Sequence, residues 1–251
     1  MHESLFIGKN VISLETIDST NDYAKQLLST QKPTDGTLII AKEQTKGRGQ
    51  LGNVWQTESG KNLTVSYILY PNFLSPDKQF YLNMAVALGI REFCESICAE
   101  HVQIKWPNDI LINGKKVCGV LIENALQGSK IQHSIIGIGI NINQTQFDTT
   151  LTHATSVALE NNNQTLDIEN LAGKLSSYLE KYYLQLRLLH FNFLEKAYTT
   201  SLWRYNQTSE FTKSGTAFKG EITGVTKEGK LEIDVKGKPQ KFGFKEIEFV
   251  Y

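Results

Sequence analysis

The chain has 251 residues, 40% of them hydrophobic and 21% charged, which predicts a globular protein with a substantial core. Its 26 basic and 26 acidic residues give a formal net charge of zero, which argues against broad attraction to nucleic acids or membrane surfaces. No apolar run is long enough to span a bilayer and the first residues carry no signal-peptide core, so we expect a cytoplasmic protein. The cysteines Cys94, Cys98 and Cys118 lack metal-ligand spacing and fit reduced thiols.

The chain up to Arg204 combines strands with a few long helices. A first helix is predicted from the spacing of Tyr23, Ala24, Leu27 and Leu28, directly after a run of helix-capping residue types. A proline at position 76 opens a long helix that ends near residue 100, and later helices are predicted at 168–189 and 193–202. Strands are predicted at 11–17, 37–41, 63–69, 102–106, 109–112, 117–122 and 131–142. The Asn-Gly pair at 113–114 predicts a tight hairpin.

After Arg204 the pattern changes to short alternating strands joined by glycine turns. These strands are predicted at 218–225, 231–235 and 241–250. About 40 residues of this kind form a small β-barrel that is too small to be very stable alone. We therefore predict an α+β protein with two domains, a mixed-sheet domain at 1–205 and a small β-barrel domain at 206–251.

Residues 44–62 are the most informative segment. They contain glycines at 47, 49, 52 and 60, the cations Lys46, Arg48 and Lys61, and one large aromatic residue, Trp55. Glycine lets the backbone approach a ligand closely, and free backbone N–H groups beside a cation bind anions. The segment therefore predicts a phosphate-type anion-binding loop that is mobile until a ligand orders it.

Three further segments carry polar groups at positions where a ligand could reach them. Lys105-Trp-Pro-Asn-Asp109 joins two strands, and its alternative is an ordinary turn with a solvated lysine. Ser19-Thr-Asn21 is either a plain helix cap or a set of hydrogen-bonding groups for a compact polar ligand. Gly137-Ile-Gly139 weakens a strand, as happens at a barrel bend or at the close approach of a ligand. No third glycine or helix follows, so a dinucleotide fingerprint is rejected.

Taken together and in this order, these segments resemble the biotin–protein ligases. The matching residues are 18–21, 44–55, 105–109, 116–123 and 136–141, and the resemblance runs from about Glu15 to the end, where the tail is similar to that family's SH3-like domain. The loop departs from one common version of the family pattern, because Gln50 and Asn53 stand in place of arginines. The chain also resembles a monofunctional form without the DNA-binding domain, since no helix-turn-helix precedes Val11.

The resemblance implies a two-step reaction. ATP, as its Mg²⁺ complex, first activates biotin to biotinyl-AMP, and a lysine of a biotin carboxyl carrier domain then takes the biotinyl group. The resemblance implies no nucleic acid or membrane partner, and it leaves monomer or homodimer open. It does not identify the Mg²⁺ ligands.

The resemblance also implies which residues act. Lys105 and Arg48 are the predicted catalytic residues, with Lys105 bridging the biotin carboxylate and the α-phosphate. The predicted biotin-binding residues are Ser19, Thr20, Asn21, Gln44, Gly47, Arg48, Gly49, Gln50, Lys105, Gly119 and Gly137. The predicted ATP- and adenylate-binding residues are Arg48, Trp55, Asn108, Gly139 and Asn141. Within that set, Trp55 stacks on or covers adenine, and Asn108 with Asp109 orders Lys105 or assists Mg²⁺.

Three rival functions compete with this interpretation. A lipoate–protein ligase or octanoyltransferase resembles the same catalytic fold, but those families typically show a glycine triplet followed by a His-Asp pair, and the loop here has neither. A biotin-sensing repressor needs a basic reading helix. An adaptor that uses the tail to bind peptides leaves residues 44–55 and 105–109 unexplained.

Overall fold

The computed structural model describes residues 4–98 and 100–251. The α-helices are α1 (Thr20–Thr30), α2 (Phe80–Glu95), α3 (Val157–Glu160), α4 (Ile168–Arg187) and α5 (Phe191–Thr200). The strands are β1 (Val11–Ile17), β2 (Thr37–Gln44), β3 (Leu63–Leu69), β4 (Val102–Lys105), β5 (Asp109–Ile112), β6 (Lys115–Gln127), β7 (Lys130–Ile140), β8 (Thr208–Lys213), β9 (Thr216–Val225), β10 (Leu231–Val235), β11 (Lys238–Phe242) and β12 (Glu248–Phe249). Short 3-10 helices lie at Gln50–Gly52 and Pro76–Lys78.

The first seven strands form one mixed sheet in the order β1-β2-β3-β7-β6-β5-β4. Strands β1 and β2 are parallel, and the other neighbours are antiparallel. The predicted α+β class with a mixed-sheet region is confirmed.

Alternation along the strands sends neighbouring side chains to opposite faces of this sheet. On β3, Val65 and Tyr67 join the large core that α2 and α4 cover, whereas Ile68 joins a small cluster with Ala24 of α1. Strand β7 divides in the same way, so Gly137 lies on the α1 face. This face carries the polar and glycine positions of the predicted site.

The last five strands form an antiparallel sheet in the order β11-β10-β9-β8-β12. This separate antiparallel sheet stands where the small β-barrel was predicted, and pairing between the described strands leaves β11 and β12 at opposite edges without closing it. Its buried side chains Phe211, Ile222 and Phe242 belong to the same apolar cluster as the first sheet. The two sheets therefore share a continuous core.

Several predicted boundaries were wrong. Helix α2 ends at Glu95, with Ser96 as its C-cap, whereas the sequence predicted an end near residue 100. The strand predicted at 241–250 is interrupted between β11 and β12. Strand β8 was not predicted, because its sequence has few apolar positions, although Ser209 and Phe211 are buried. No helix among the described residues combines the length and the apolar character that crossing a membrane requires.

Candidate active site

A cleft of about 530 Å³ opens on the α1 face of the first sheet and extends to the second sheet. It is lined by the start of α1, the glycine loop, the β4–β5 junction, β6, β7 and residues 244–249. The predicted site residues that line it are Ser19, Thr20, Asn21, Gln44, Arg48, Gly49, Gln50, Trp55, Lys105, Asn108, Gly119, Gly137 and Gly139. The fold thus brings into one cleft segments that are far apart in sequence.

One end of the cleft is built from buried side chains at the start of α1. Ser19 caps the helix, because its hydroxyl oxygen accepts a hydrogen bond from the Asp22 N–H. The N–H and hydroxyl of Thr20 both donate to Gln44 Oε1, at 2.8 and 3.0 Å. The hydroxyl oxygen of Ser66 on β3 lies 2.7 Å from Thr20 Oγ1. These bonds fix the polar groups in orientation.

Asn21 is the centre of the same network and is 3% exposed. Its Oδ1 accepts a hydrogen bond from Ser66 Oγ at 2.6 Å, and its Nδ2 donates to Glu123 Oε2 at 2.9 Å. A Cβ atom at Gly137 would lie 2.3 Å from Asn21 Oδ1. Only glycine at position 137 leaves room for this amide, so β7 and α1 together hold it in place.

Trp55 lies across two paired glycines in the middle of the cleft. Gly119 of β6 and Gly139 of β7 are partners in the sheet, and a Cβ atom at Gly139 would lie 2.3 Å from Trp55 Nε1. The Lys116 ammonium is 5.8 Å from the ring centroid of Trp55. The indole Nε1 is buried without a hydrogen-bond partner among the described residues. This is an exception among the described residues, since buried donors are normally paired.

The cations of the glycine loop are paired with carboxylates. Lys46 Nζ lies 2.9 Å from Asp18 Oδ2. Arg48 donates through Nη1 to Asp22 at 2.5 Å and through Nη2 to Glu123 at 3.1 Å. A guanidinium has five N–H donors, so Arg48 keeps donors for a further anion.

These pairs shift the pKa values of the groups involved. Burial acts to raise the pKa of Glu123, but hydrogen bonds from Lys25 and Asn21 and the charge of Arg48 outweigh it, and the pKa lies below its usual value. For Arg48, burial acts to lower the pKa, but the interactions with Glu123 and Asp22 outweigh burial, and the pKa lies above its usual value. Both groups therefore stay ionised at neutral pH.

The β4–β5 junction forms the wall nearest the second sheet. Lys105 ends β4 and pairs in register with Asp109, which begins β5. Asn108 is buried, and its Nδ2 donates to the Val120 carbonyl oxygen at 2.6 Å, which ties the junction to β6. Asp109 is 2.7 Å from Lys116 Nζ. Asn108 therefore fixes the β4–β5 junction against β6, and its role toward Lys105 or Mg²⁺ stays a prediction.

Two predicted site residues do not line the cleft. Gly47 packs within its own loop, where a Cβ atom would lie 2.2 Å from the Trp55 carbonyl oxygen. Asn141 is buried behind β7 and donates to the Thr155 carbonyl oxygen at 3.0 Å. Their predicted ligand contacts therefore lack support from the geometry of this cleft.

Several residues that line the cleft were assigned no role from the sequence. Lys116 opens the segment 116–123, and its position two residues into β6 and three before Gly119 is the signal that could have identified it. The second sheet contributes Phe244, Lys245, Ile247, Glu248 and Phe249. No sequence pattern marked these, because their place in the cleft depends on how the two sheets pack.

Comparisons with known proteins agree with this geometry. The biotin/lipoate A/B protein ligase family matches residues 13–141. The bifunctional ligase/repressor BirA of Bacillus spizizenii is 38% identical over 142 residues, which are 57% of this chain and 43% of that protein. The biotin–[acetyl-CoA-carboxylase] ligase of Paracoccus denitrificans is 34% identical over 131 residues, 51% of this chain and 53% of that protein. The aligned part is thus about half the length of these curated relatives.

Solved structures extend the similarity over the whole fold. The biotin protein ligase of Aquifex aeolicus in complex with biotin and ATP aligns with a TM-score of 0.80 and 25% identity, over 96% of this chain and 98% of that chain. The enzyme of Leishmania major in complex with biotinyl-5-AMP aligns with a TM-score of 0.64 and 24% identity, over 94% and 99%. At 24% identity, the similarity to this second structure concerns the fold alone.

Proposed function

Because the chain belongs to the biotin/lipoate A/B protein ligase family, we propose that it is an ATP-dependent biotin–protein ligase. The observation that carries the proposal is the single cleft that unites the buried polar groups of α1, the cations Arg48 and Lys105, and the aromatic residue Trp55. A bicyclic ureido head needs fixed donors and acceptors, a carboxylate and a phosphate need cations, and a purine needs an aromatic surface. The cleft brings these three kinds of group together.

The biotin end of the proposed site is the network around Asn21. Thr20 and Asn21 are buried and already hydrogen-bonded to Gln44, Ser66 and Glu123. A preorganised polar pocket of this kind binds a small polar head without paying to order its own side chains. The 1,2-dithiolane ring of lipoate has neither an N–H donor nor a carbonyl acceptor for these groups, which favours biotin over lipoate.

The first chemical step joins biotin to AMP. A carboxylate oxygen of biotin forms a bond to the α-phosphorus of ATP, the bond from that phosphorus to the bridging oxygen breaks, and pyrophosphate leaves. Lys105 neutralises the two anions as they approach, and Arg48 offers its remaining N–H donors to the same region. In the second step the ε-amino nitrogen of the acceptor lysine bonds to the biotinyl carbonyl carbon, AMP leaves with the bonding electrons, and the amine loses a proton.

Magnesium is the ion that accompanies ATP, and the acidic residues of the cleft fit it. Asp109 and Glu248 are carboxylates among the lining residues. Mg²⁺ is typically held by one or two carboxylates together with substrate phosphates. Asp109 would hold the ion beside Lys105, and the ion would supply charge neutralisation at the phosphates.

The proposed partner is a biotin carboxyl carrier domain of a biotin-dependent carboxylase, and the proposed compartment is the cytoplasm. The proposed division of labour places biotin and ATP binding mainly in residues 1–205, with residues 206–251 completing the nucleotide end of the cleft. DNA is not a proposed partner, and a mobility-shift assay with the purified chain checks that expectation.

The test is transfer of biotin to a purified carrier domain, followed by intact-protein mass spectrometry. We expect a shift of one biotinyl group that requires the chain, biotin and ATP together. A carrier in which arginine replaces the acceptor lysine is the matched control for the partner, and Lys105→Ala is the control for the enzyme. A carrier that gains a lipoyl group but no biotinyl group would replace the proposal with the lipoate alternative.

A further inference from the structure

The ammonium group of Lys105 is held by aromatic residues of the second sheet. Lys105 Nζ donates a hydrogen bond to Tyr251 Oη at 2.8 Å, across 146 positions of sequence. The same nitrogen lies 4.7 Å from the ring centroid of Tyr251 and 5.3 Å from that of Phe249. We call these two aromatic residues the Lys105 cage.

The cage is itself supported from outside the second sheet. The ring of Tyr251 stacks on His153 with centroids 3.8 Å apart and an interplanar angle of 10°. Trp203 packs against Tyr251 with centroids 5.2 Å apart. Arg204 Nη1 donates to the Val250 carbonyl oxygen at 2.7 Å. These contacts fix the position of Tyr251 although it is 48% exposed.

Phe249 is fixed by a different set of contacts. It belongs to β12 and pairs in register with Phe211 of β8. It also lines the cleft, so the cage borders the cleft on the side of the second sheet. The position of the Lys105 ammonium therefore depends on the packing of the second sheet.

The cage differs in charge from the partners of Arg48 and Lys116, two other cations that line the cleft. Arg48 is paired with Asp22 and Glu123, and Lys116 is paired with Asp109. Within residues 4–98 and 100–251, by contrast, the partners of Lys105 are a hydroxyl group and two π faces. Aromatic faces attract an ammonium without neutralising it. The charge of Lys105 thus stays available to an incoming anion.

We propose that Tyr251 and Phe249 are positioning residues that hold the ammonium of Lys105 at the point where the carboxylate and the α-phosphate meet. The inference rests on the proposed adenylation reaction. It assigns the second sheet a direct part in that step, in addition to any part in binding the carrier.

The test compares Tyr251→Ala and Tyr251→Phe in biotin-dependent release of pyrophosphate by the full chain. Loss of a cation–π contact and a hydrogen bond at a half-exposed site should lower kcat about three- to tenfold in the alanine variant. The phenylalanine variant keeps the ring but loses the hydrogen bond. Its kcat should therefore fall by about half as much as that of the alanine variant, measured on a logarithmic scale. The KM for biotin should stay within about twofold, because the cage lies far from the α1 network.

Phe193→Ala is the matched control, because Phe193 is also 48% exposed and stacks on Tyr182, away from the cleft. It should leave kcat unchanged. A double-mutant cycle in urea unfolding, using Lys105→Ala and Tyr251→Ala, tests the contact without substrate. The expected coupling is about two- to fivefold in the unfolding equilibrium constant.

The positioning role would be overturned if the wild type releases pyrophosphate and the kcat of Tyr251→Ala lies within about twofold of the wild-type kcat. A coupling factor of one would overturn the contact itself. If the wild-type chain releases no pyrophosphate with biotin and ATP, the proposed function fails instead, which is a different result from failure of the cage.

Discussion

Replacing Gly137 by alanine tests how the polar end of the cleft is built. The added methyl carbon would lie 2.3 Å from Asn21 Oδ1, and ordinary contact begins at 3.4 Å, so the amide must move by about 1 Å. That movement would strain or break the bond from Ser66 at 2.6 Å and the bond to Glu123 at 2.9 Å. Losing one neutral and one charge-assisted hydrogen bond lowers the free energy of unfolding by about 2–4 kcal/mol. A misplacement of this size in a binding group should raise the Kd for biotin about 100-fold.

The assay is isothermal titration of biotin into Gly137→Ala, with circular dichroism to verify folding. Gly173→Ala is the matched control, because nothing lies within 4 Å of a Cβ atom at that helical position. It should bind biotin normally and gain about 0.5–1 kcal/mol of stability from helix propensity. In an Asn21→Ala background, Gly137→Ala should lose little further stability. A folded Gly137→Ala protein with a Kd within about threefold of wild type would refute the role given to Asn21.

Three further predictions concern the chain outside that contact. Glu180 accepts hydrogen bonds from the N–H groups of Phe6 at 2.8 Å and Ile7 at 2.9 Å. Glu180→Ala should therefore lower the free energy of unfolding, measured by urea titration, by about 2–4 kcal/mol. A loss below about 1 kcal/mol would contradict this expectation. Limited proteolysis should cut at 46–48 in the free protein, because exposed ion pairs hold that segment only weakly. Biotin with a non-hydrolysable ATP analogue should suppress this cleavage. Equal cleavage with and without these ligands would show that they do not order the loop. The pKa of Glu123 is below its ordinary 4.5 in the folded chain, so the stability it contributes is present above about pH 4.5 and is lost as the pH falls through the folded-state value. The difference in unfolding free energy between wild type and Glu123→Gln should therefore shrink on acidification, and a constant difference would be inconsistent with the shift.

Much of the first sheet could be predicted from the sequence, since its strands carry their own local signals. Alternating apolar residues identified β1 and β3 at their observed bounds, and the Asn-Gly pair at 113–114 does adopt the positive φ angles of a tight turn. The second sheet was harder. Strand β8 has a polar sequence, and burial of Ser209 and Phe211 follows from the neighbouring strands rather than from its own pattern.

Segments that line the cleft were also identified from the sequence. The small polar residues at the start of α1 are ordinary helix-capping types, but the glycines inside β7 deviate from the preference of a plain strand. Such deviations mark places where the backbone must come close to something else. The sequence did not say what that was, and at Gly137 it is the amide of Asn21.

The sequence by itself determined most elements of the first sheet and the motifs in their order, because strand alternation, helix caps and turns are set by residues within a few positions of each other. Only the tertiary structure decided which charges meet. Arg48 reaches Glu123 across 75 positions, and Lys105 reaches Tyr251 across 146. Contacts at that separation follow from how the sheets pack, and they pair Arg48 with carboxylates and Lys105 with a hydroxyl group and aromatic faces.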